Sequence, residues 1–562
     1  MDFSLRYNHV GYVPVASKVF LVAGDSSVAT PARFQLVSSS GEAVFSGAIV
    51  EKGTCSYTDE FLWQGDFSAF SSAGRFRIVV LDGSGTTLTK SREFEIAERL
   101  TGEQLTLTLE SFYFQRSGVE LPADRARKWA RPAAHLDDCL EFHPSMNRAG
   151  TWNAHGGWYD AGDYGKYIVN GGVSVGTLLL AAELAESASS EVGRGRVALP
   201  VSFRTNLLEE VRFELEFFLR MQDSDGGVFF KVSPIRWDGF VSPTQSDLNQ
   251  KRQILGKSTT STLNFAGVMA HAHKVYRSVY PAFAEQCLTA AIRAYAWAVE
   301  NPDVTYPHNT EGSGGYGDER YDDEFFWTRA MLFREMQAGG AGIAQPTRSP
   351  QSQLPSLQDL HSLLEQDMEK CPPQPGLSWR DTDNLGWIAL ALQNGDIPLR
   401  DRAREALVAA ADGIVQISEK DAYGISVDKF VWGCNGVIAN HGLTLLLANL
   451  WKPDTRYVKS ARGMLDFIYG KNPVNTCFVT GAAWSSPKFP HHRICHSDGV
   501  EDPIPGLVVG GINADRQDMH RFPHYPGPQP GFSYTDERCS FASNETAINW
   551  NAPLVALLSL ME

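Results

Sequence analysis

Two periods of hydrophobic and polar positions divide the chain near residue 100. Before that point, short apolar runs alternate with polar residues and end at Gly, Ser or Asp, as in β-strands joined by tight turns. Strands are predicted at Lys18–Val22, Arg33–Val37, Arg75–Leu81 and Arg92–Ile96. We therefore expect residues 1–98 to form a small all-β sandwich.

Residues 99–562 follow a helical period instead. From Leu207 to Leu219, apolar residues recur every three or four positions with Glu and Arg between them, which defines one apolar stripe. Similar patterns predict further helices at Asn264–Tyr280, Phe283–Glu300, Asp323–Gln337, Gly386–Gln393, Asp401–Gln416, Gly442–Leu450, Thr455–Tyr469 and Glu545–Met561. Many helices without strands indicate a toroid of helical pairs, in which the loops at one end build a site.

Composition and charge narrow the class of protein. The 562 residues are 43% hydrophobic and 20% charged, as in soluble globular chains. Lys and Arg number 50 against 65 Asp and Glu, and the net charge of −15 repels nucleic-acid phosphates and anionic membranes. The most apolar stretch, Val169–Ala185, is interrupted by polar residues. We expect neither a nucleic-acid nor a membrane partner, and the oligomeric state stays open.

The amino terminus and the cysteines favour a cytoplasmic location. Residues 1–6 lack the basic segment and apolar run of a secretory signal. Eight scattered cysteines without paired spacing are expected to be reduced and mostly buried thiols. A secreted protein whose signal peptide has been removed is the alternative.

The densest chemical signal is Gly156–Tyr167, which holds Asp160 and Asp163 among glycines and aromatic residues. Glycines allow unusual backbone angles, so both carboxylates can point into one cavity. A carboxylate base, a second acid that holds the water and aromatic walls suit hydrolysis beside a sugar ring. A glycine-rich surface turn with solvated acids and a metal-binding loop are the alternatives.

Hydrolysis of a glycosidic bond also needs an acid, because the leaving oxygen must be protonated. Glu545 is the best candidate, and its alternative is a first-turn helix glutamate stabilised by the helix dipole. In Pro490–Arg493, two adjacent histidines and an arginine are read as donors to sugar hydroxyls, because adjacent histidine side chains diverge and make a poor metal site. A basic surface loop is the alternative there.

Five motifs together resemble the ordered signature of glycoside hydrolase family 9. They are Gly156–Tyr167, Asn472–Gly481, Pro490–Arg493, Gly506–Gly511 and the segment from Asn544 to Pro553. Tyr7–Pro14 is similar to the start of the immunoglobulin-like module of one subgroup. The resemblance implies an immunoglobulin-like β-sandwich over residues 1–98, an all-α (α/α)6 barrel over 99–562, and inverting hydrolysis of β-1,4-linked glucan-type sugars.

The resemblance also implies roles for individual residues. Asp163 matches the general base, Asp160 the aspartate that positions the water, and Glu545 the general acid. Inversion places a water between base and acid, which should stand about 6.5–9.5 Å apart. The expected substrate contacts are His491, Arg493, Trp432, Trp550, Trp158 and Tyr159. Asp138 is added because His135–Asp138 precedes the catalytic loop and could hold a sugar end or its ammonium group; a solvated acid pair is the alternative.

No cofactor is expected to be required. Relatives with the β module often bind a structural zinc through cysteines and histidines near the start of the catalytic domain. Here Ser117 and Ala134 stand at the two thiolate positions, beside His135, so zinc is not expected. A structural calcium could use Asp318, Asp322 or Asp323, with solvated helix-start acids as the alternative.

The sequence favours small substrates. No carbohydrate-binding module is recognised and no export signal precedes the chain, so we expect soluble oligosaccharides and an exo-acting β-glucosidase or exo-β-glucosaminidase. The alternative is an endo-β-1,4-glucanase that cuts polymeric β-glucan. A non-catalytic carbohydrate-binding protein is the alternative from another class. It would have lost a catalytic acid, whereas Asp160, Asp163 and Glu545 are all present. Glucose against glucosamine specificity and exo against endo action stay open.

Overall fold

The computed structural model describes residues 3–27, 29–186, 199, 201–306, 309–338, 354–393 and 398–561. An all-β unit comes first and a mainly helical unit follows. The strands of the first unit are β1 Ser4–Arg6, β2 Val19–Gly24, β3 Pro31–Ser38, β4 Ala43–Thr54, β5 Phe61–Asp66, β6 Gly74–Asp82, β7 Thr87–Lys90 and β8 Phe94–Ile96. The four strands expected from the sequence are all present.

The β unit is folded around one long strand. β4 pairs with β3 through its first half and with β5 through its second half, with a register shift in each pairing. The resulting order is β1-β2-β5-β4-β3-β6-β7, and β8 also pairs with β6. Phe20, Phe34, Trp63 and Ile78 are buried between the strands and form the core. The sequence missed β4 because its side chains are mostly exposed or half-buried, so no apolar face marks it.

The helical unit begins at Leu100. Its helices are α1 Leu100–Phe114, α2 Ala123–Ala126, α3 Ile168–Glu186, α4 Val201–Met221, α5 Pro243–Asn249, α6 Thr259–Tyr276, α7 Pro281–Glu300, α8 Asp322–Gln337, α9 Leu357–Lys370, α10 Asp383–Ala391, α11 Pro398–Ser418, α12 Cys434–Trp451, α13 Thr455–Ile468, α14 Phe541–Asn544 and α15 Ile548–Met561. Consecutive helices pack as pairs, with α6 against α7, α8 against α9 and α12 against α13. α15 packs against α1, α3 and α12, so the last helix joins the first ones.

The most apolar helix, α3, lies at the centre of this unit. Among the described residues, only its segment Ile168–Ala185 is long and apolar enough to cross a membrane, and 89% of that segment is buried inside the protein. α3 contacts α4, α6 and α15. A helix that is apolar on all sides belongs in a protein core or in a membrane, and here the core accounts for it.

A second sheet corrects the expectation of helices alone. Its strands are β9 Leu140–Phe142, β10 Thr151–Trp152, β11 Lys166–Tyr167, β12 Phe229–Pro234 and β13 Arg252–Lys257, in the order β10-β9-β13-β12-β11. Every residue of β12 is buried. A strand buried on both faces has no alternation of apolar and polar positions, so periodicity alone cannot identify it. β11 belongs to the motif that carries the two aspartates, and the sheet anchors that motif.

The two units meet through the Tyr7–Pro14 motif. Asn8 Nδ2 donates a hydrogen bond to Asp466 (2.8 Å), and the His9 amide donates to the Tyr469 carbonyl (2.9 Å). The His9 ring bonds to Asn475 (3.0 Å), which belongs to Asn472–Gly481, one of the five motifs. The β unit therefore supports the backbone next to the site. The eight cysteines are free thiols, and six of them are buried, as expected.

Candidate active site

Buried ion pairs hold the loop that carries Asp160 and Asp163. The Asp137 carboxylate lies 2.7 Å from Lys166 Nζ and 2.9 Å from Arg252 Nε. Lys166 also donates to the Gly156 carbonyl, and Arg252 donates to the Tyr164 carbonyl. Burial alone would raise the pKa of Asp137, but the two cations more than offset it and lower that pKa. The three side chains thus fix both ends of the loop.

Asp160 is buried and fully engaged. Its Oδ1 accepts a hydrogen bond from Asn170 Nδ2 (2.5 Å) and its Oδ2 accepts one from the Tyr316 hydroxyl (2.5 Å). Burial raises the pKa of Asp160 to about 7; the two donors oppose this rise and the charge of Asp163 adds to it. Near neutral pH, its protonation state therefore depends on these contacts.

Asp163 lies beside Asp160 and receives two backbone donors. Its Oδ1 accepts from the Gly165 amide (2.7 Å) and its Oδ2 accepts from the Gly314 amide (3.3 Å). Both oxygens of the carboxylate are thus held by main-chain donors, which fixes its orientation.

Glu545 lies between α14 and α15, outside both helices, with an extended backbone. The alternative of a first-turn helix glutamate is therefore wrong, because the helix begins three residues later. Its carbonyl accepts from the Gly510 amide (2.8 Å). Burial raises the pKa of Glu545 well above its ordinary value; the charges of Asp163 and Asp160 add to this and Arg493 opposes it. The residue stays partly exposed, so a proton held there can reach a substrate.

Main-chain contacts join the two segments that carry the three carboxyls. The Gly162 carbonyl accepts from the Arg493 amide (2.9 Å) and from Arg493 Nη1 (3.0 Å). A Cβ on Gly162 would lie 2.0 Å from the His491 carbonyl oxygen. The His491 amide donates to the Asn544 carbonyl (2.8 Å), next to Glu545. The 490–493 segment therefore spaces the aspartates from the glutamate.

The main-chain contacts that connect Gly162, the 490–493 segment and Asn544 form a junction. A series of neighbouring aromatic rings includes His491 of this junction. The His491 ring lies 5.1 Å from the Phe240 ring and 6.0 Å from the Phe541 ring. Phe541 in turn lies 5.5 Å from Trp432, which is 40% exposed. Burial lowers the pKa of His491 to about 4, so the ring is neutral, and its Nδ1 bonds to the Arg538 carbonyl (2.7 Å). Nδ1 must then carry the proton, which leaves Nε2 as an acceptor for a sugar hydroxyl.

Two predicted substrate contacts lie in the core instead. Trp158 and Tyr159 are each 1% exposed. Trp158 Nε1 donates to Glu210 (2.9 Å), and the Tyr159 hydroxyl bonds to His135 Nδ1 (2.7 Å). Large aromatic side chains with a satisfied polar atom are stable inside a protein, and these two stabilise the loop from beneath.

The other predicted contacts take different positions. Arg493 is buried, and its guanidinium donates to the carbonyls of Gly162 and Asp238, so it holds two loops together. Trp550 is half-buried against Gly433, which follows Trp432, so it supports the loop that presents Trp432. Asp138 is exposed, whereas its neighbour Asp137 forms the buried ion pairs.

Sequence reasoning missed Tyr316, Asn170 and Trp237. Tyr316 and Asn170 bond to Asp160, and Trp237 is 50% exposed with the Arg493 guanidinium 5.6 Å from its ring. One signal was available. Gly314–Asp318 combines glycines, an aromatic residue and an aspartate, the same combination as Gly156–Tyr167.

Hydrogen bonds hold the region where relatives with the β module often bind zinc, around Ser117 and His135. The Ser117 hydroxyl donates to the His135 carbonyl (3.3 Å), and the His135 ring bonds to Tyr159. Burial lowers the pKa of His135 well below its ordinary value, so the ring is neutral. Ser117 and Ala134 offer no thiolate, and the chain does not fit a zinc site here.

The acids considered for calcium are not a solvated set. Asp322 is exposed, but Asp318 and Asp323 are buried, and burial raises the pKa of Asp318 to about 6. The Arg320 guanidinium lies among them, 2.7 Å from Asp383 and 3.7 Å from Asp323. Within the described ranges, no three His, Cys, Asp or Glu side chains are arranged to hold a metal ion. These residues do not fit calcium, because Arg320 already supplies the positive charge.

Comparison with known proteins assigns the family. The family model described as glycosyl hydrolase family 9 matches residues 102–558, and that described as the cellulase N-terminal ig-like domain matches residues 3–85. The chain belongs to glycosyl hydrolase family 9. The resemblance inferred from the five motifs and from Tyr7–Pro14 is confirmed. The protein is a glycoside hydrolase of the family that acts on β-1,4 glucans, with a mainly helical unit after an immunoglobulin-like β unit.

Three relatives cover nearly the whole chain. A xyloglucan-specific endo-β-1,4-glucanase of Bacteroides ovatus is 34% identical over 100% of this chain and 94% of its own length. A cellodextrinase of Butyrivibrio fibrisolvens is 28% identical over 98% of each chain. The crystal structure of a metagenome-derived family 9 endoglucanase has a TM-score of 0.84 and 28% identity, over 99% of this chain and 98% of that one.

Replacing Gly162 with Ala should push the 490–493 segment away from the aspartate loop. Because the new Cβ would meet the His491 carbonyl, we expect a loss of about 1–3 kcal/mol in the free energy of unfolding and a severe loss of activity. Gly413→Ala is the matched control, since a Cβ there meets open space within α11. Chemical denaturation and initial rates check both; a Gly162→Ala enzyme with normal stability and rate contradicts the junction.

Tyr316→Phe should weaken turnover without weakening the fold. The change removes a hydrogen bond to Asp160, so we expect kcat to fall roughly ten- to hundredfold with little change in KM. Because that bond favours the ionised carboxylate, the acid limb of the pH–rate profile should move to higher pH. A profile of unchanged position would show that Asp160 does not need this donor.

Metal removal should leave stability unchanged. We expect the same melting temperature before and after dialysis against EDTA, because Arg320 and the Tyr159–His135 bond hold the two candidate metal sites. Differential scanning calorimetry measures it. A melting temperature that falls with EDTA and recovers with added calcium or zinc would contradict the assignment.

Proposed function

We propose that the protein is an endo-acting β-1,4-glucanase that hydrolyses its substrate with inversion at the anomeric carbon. The observation that carries the proposal is the series of neighbouring rings from Phe240 through His491 and Phe541 to the partly exposed Trp432, which includes His491 of the segment between the aspartate loop and Glu545. Sugar rings pack on aromatic faces, so an extended series of rings suits a sugar chain lying across the site. A site for single terminal residues needs no such series.

The three carboxyls divide the chemistry according to their surroundings. Asp163 receives two backbone donors and acts as the general base on a water molecule. Asp160, held by Asn170 and Tyr316, positions that water. Glu545, whose raised pKa keeps it protonated near neutral pH, donates its proton to the leaving oxygen. One displacement from the opposite ring face inverts the anomeric centre.

The helix contacts support the barrel expected from the resemblance. Among the described helices, α3 contacts α6, α6 contacts α8 and α8 contacts α10, while α12 contacts α15 and α15 returns to α3. Each of these inner helices packs against an outer partner, as α6 does against α7. We infer an (α/α)6 barrel whose loops present the site at one end.

The exo-acting reading from the sequence has weaker support. Of the three relatives described above, two are named endoglucanases and the third a cellodextrinase, and none is named a glucosidase or glucosaminidase. Asp138, the residue proposed to hold a sugar end, is exposed on a segment whose buried acid, Asp137, already pairs with Lys166 and Arg252.

Two measurements test the proposal. On carboxymethyl cellulose and xyloglucan, an endo-acting enzyme lowers viscosity early, at few new reducing ends, and it cuts cellohexaose internally. Proton NMR of the first product should give the α-anomer. Early release of glucose or glucosamine alone, or a first β-anomer, would overturn the endo or the inverting assignment respectively.

Substitution of the carboxyls tests the residue roles. We expect Glu545→Gln and Asp163→Asn each to abolish turnover of unactivated substrates while the melting temperature stays near that of the wild type. Circular dichroism confirms folding. A folded variant with a near-normal rate would refute the role of the replaced residue.

A further inference from the structure

A buried lysine near the proposed general base has no role in the proposed mechanism. Lys231 is on β12, directly paired with Tyr167 of β11, and it is 0% exposed. Its Nζ donates to the carbonyls of Asn309 (2.8 Å) and Gly314 (3.1 Å) and to the Ser313 hydroxyl (3.3 Å). All three acceptors are neutral. A buried ammonium without a directly bonded carboxylate is costly, so its retention needs a reason.

These bonds hold Gly314, whose two flanking peptide groups both contact residues of the site. The Gly314 carbonyl accepts from both Lys231 and the Tyr167 hydroxyl (2.7 Å), while the Gly314 amide donates to Asp163 (3.3 Å). The same segment carries Tyr316, whose hydroxyl bonds to Asp160. One lysine therefore fixes the loop that supplies a donor to each aspartate.

The charge of Lys231 acts on Asp163 as well. Burial lowers the pKa of Lys231 to about 8, and Asp163 and then Glu311 oppose this. Glu311 is exposed and lies 3.2 Å from His143, whereas Asp163 is buried. Asp163 faces two further acids, Asp160 and Glu545, and the Tyr167 hydroxyl. Lys231 thus provides positive charge where three carboxyls gather.

We propose that Lys231 is a positioning residue for the general base, which orients the Gly314 amide toward Asp163 and keeps a positive charge near its carboxylate. The inference rests on the proposed role of Asp163. Lys231 touches neither substrate nor the reacting atoms in this scheme and acts through Asp163. Its loss should therefore change the pH dependence of the rate more than substrate binding.

The test compares Lys231→Met with Lys257→Met. Lys257 lies on the neighbouring strand β13 and pairs with Asp223 (2.6 Å) and Asp225 (2.8 Å). For Lys231→Met we expect the acid limb of kcat/KM to move to higher pH by about one unit, because a positive charge near a carboxylate opposes its protonation. KM should change little. Lys257→Met should keep the wild-type limb.

Two further variants separate charge from packing. Lys231→Arg retains the charge and should restore the limb toward the wild-type position. Lys231→Gln retains a donor without charge and should show the same shift as Lys231→Met, and it replaces that variant if the methionine prevents folding. A folded Lys231→Met or Lys231→Gln enzyme whose limb coincides with that of Lys257→Met overturns the proposal.

Asp163→Asn, measured in parallel, distinguishes the two possible failures. If Asp163→Asn keeps a near-normal rate, the assignment of the base is wrong and the role of Lys231 falls with it. If Asp163→Asn is inactive but the Lys231 variants show no shift, the base stands and only the role of Lys231 is refuted.

Discussion

The contact between Gly162 and the backbone of His491 is the constraint on which the site depends. At a carbonyl oxygen that would stand 2.0 Å from a Cβ, only glycine fits, and the 490–493 segment lies directly against the aspartate loop. The same segment bonds on its other side to the Asn544 carbonyl. Main-chain atoms, rather than flexible side chains, thus set the distance between base and acid. Side chains below this layer, with Asp137 between Lys166 and Arg252, keep it from moving.

Burial raises the pKa of Glu545 and of Asp160, and the neighbours of each carboxyl modify that rise. Desolvation raises the pKa of Glu545, and two nearby carboxylates add to the effect. Asp160 is more deeply buried, but the donors from Asn170 and Tyr316 oppose the rise in its pKa. Asp163 receives backbone donors and has an ammonium group nearby. One site therefore brings the proposed acid and the proposed base together in different surroundings, which hydrolysis in a single displacement requires.

The sequence predicted what local patterns encode. Amphipathic helices such as α11, with one apolar stripe, were found nearly to their ends; a glycine-rich motif marked the aspartate loop, and the segment from Asn544 to Pro553 marked Glu545. Hydrophobic periodicity did not identify elements that are buried on all sides. β12 has no alternation, and α3 has no polar face, so neither was assigned. Trp158 and Tyr159 were expected in the cleft because an aromatic residue beside an acid has the same sequence pattern in a cleft and in a core. Only their hydrogen bonds to Glu210 and His135 show that both lie in the core.

The order of the chain has a consequence for how the protein matures. Asp163 and Glu545 are 545 − 163 = 382 residues apart, and the acid comes just before α15, which packs against α1, α3 and α12. During synthesis, one of the helices that cover the apolar surface of α3 is therefore made hundreds of residues after α3 itself. Until that helix arrives, the side of α3 that packs against α15 has no cover, and the nascent chain lacks the proposed acid, Glu545. Catalytic competence and the end of a vulnerable period in folding thus arrive together, with the same short stretch of chain.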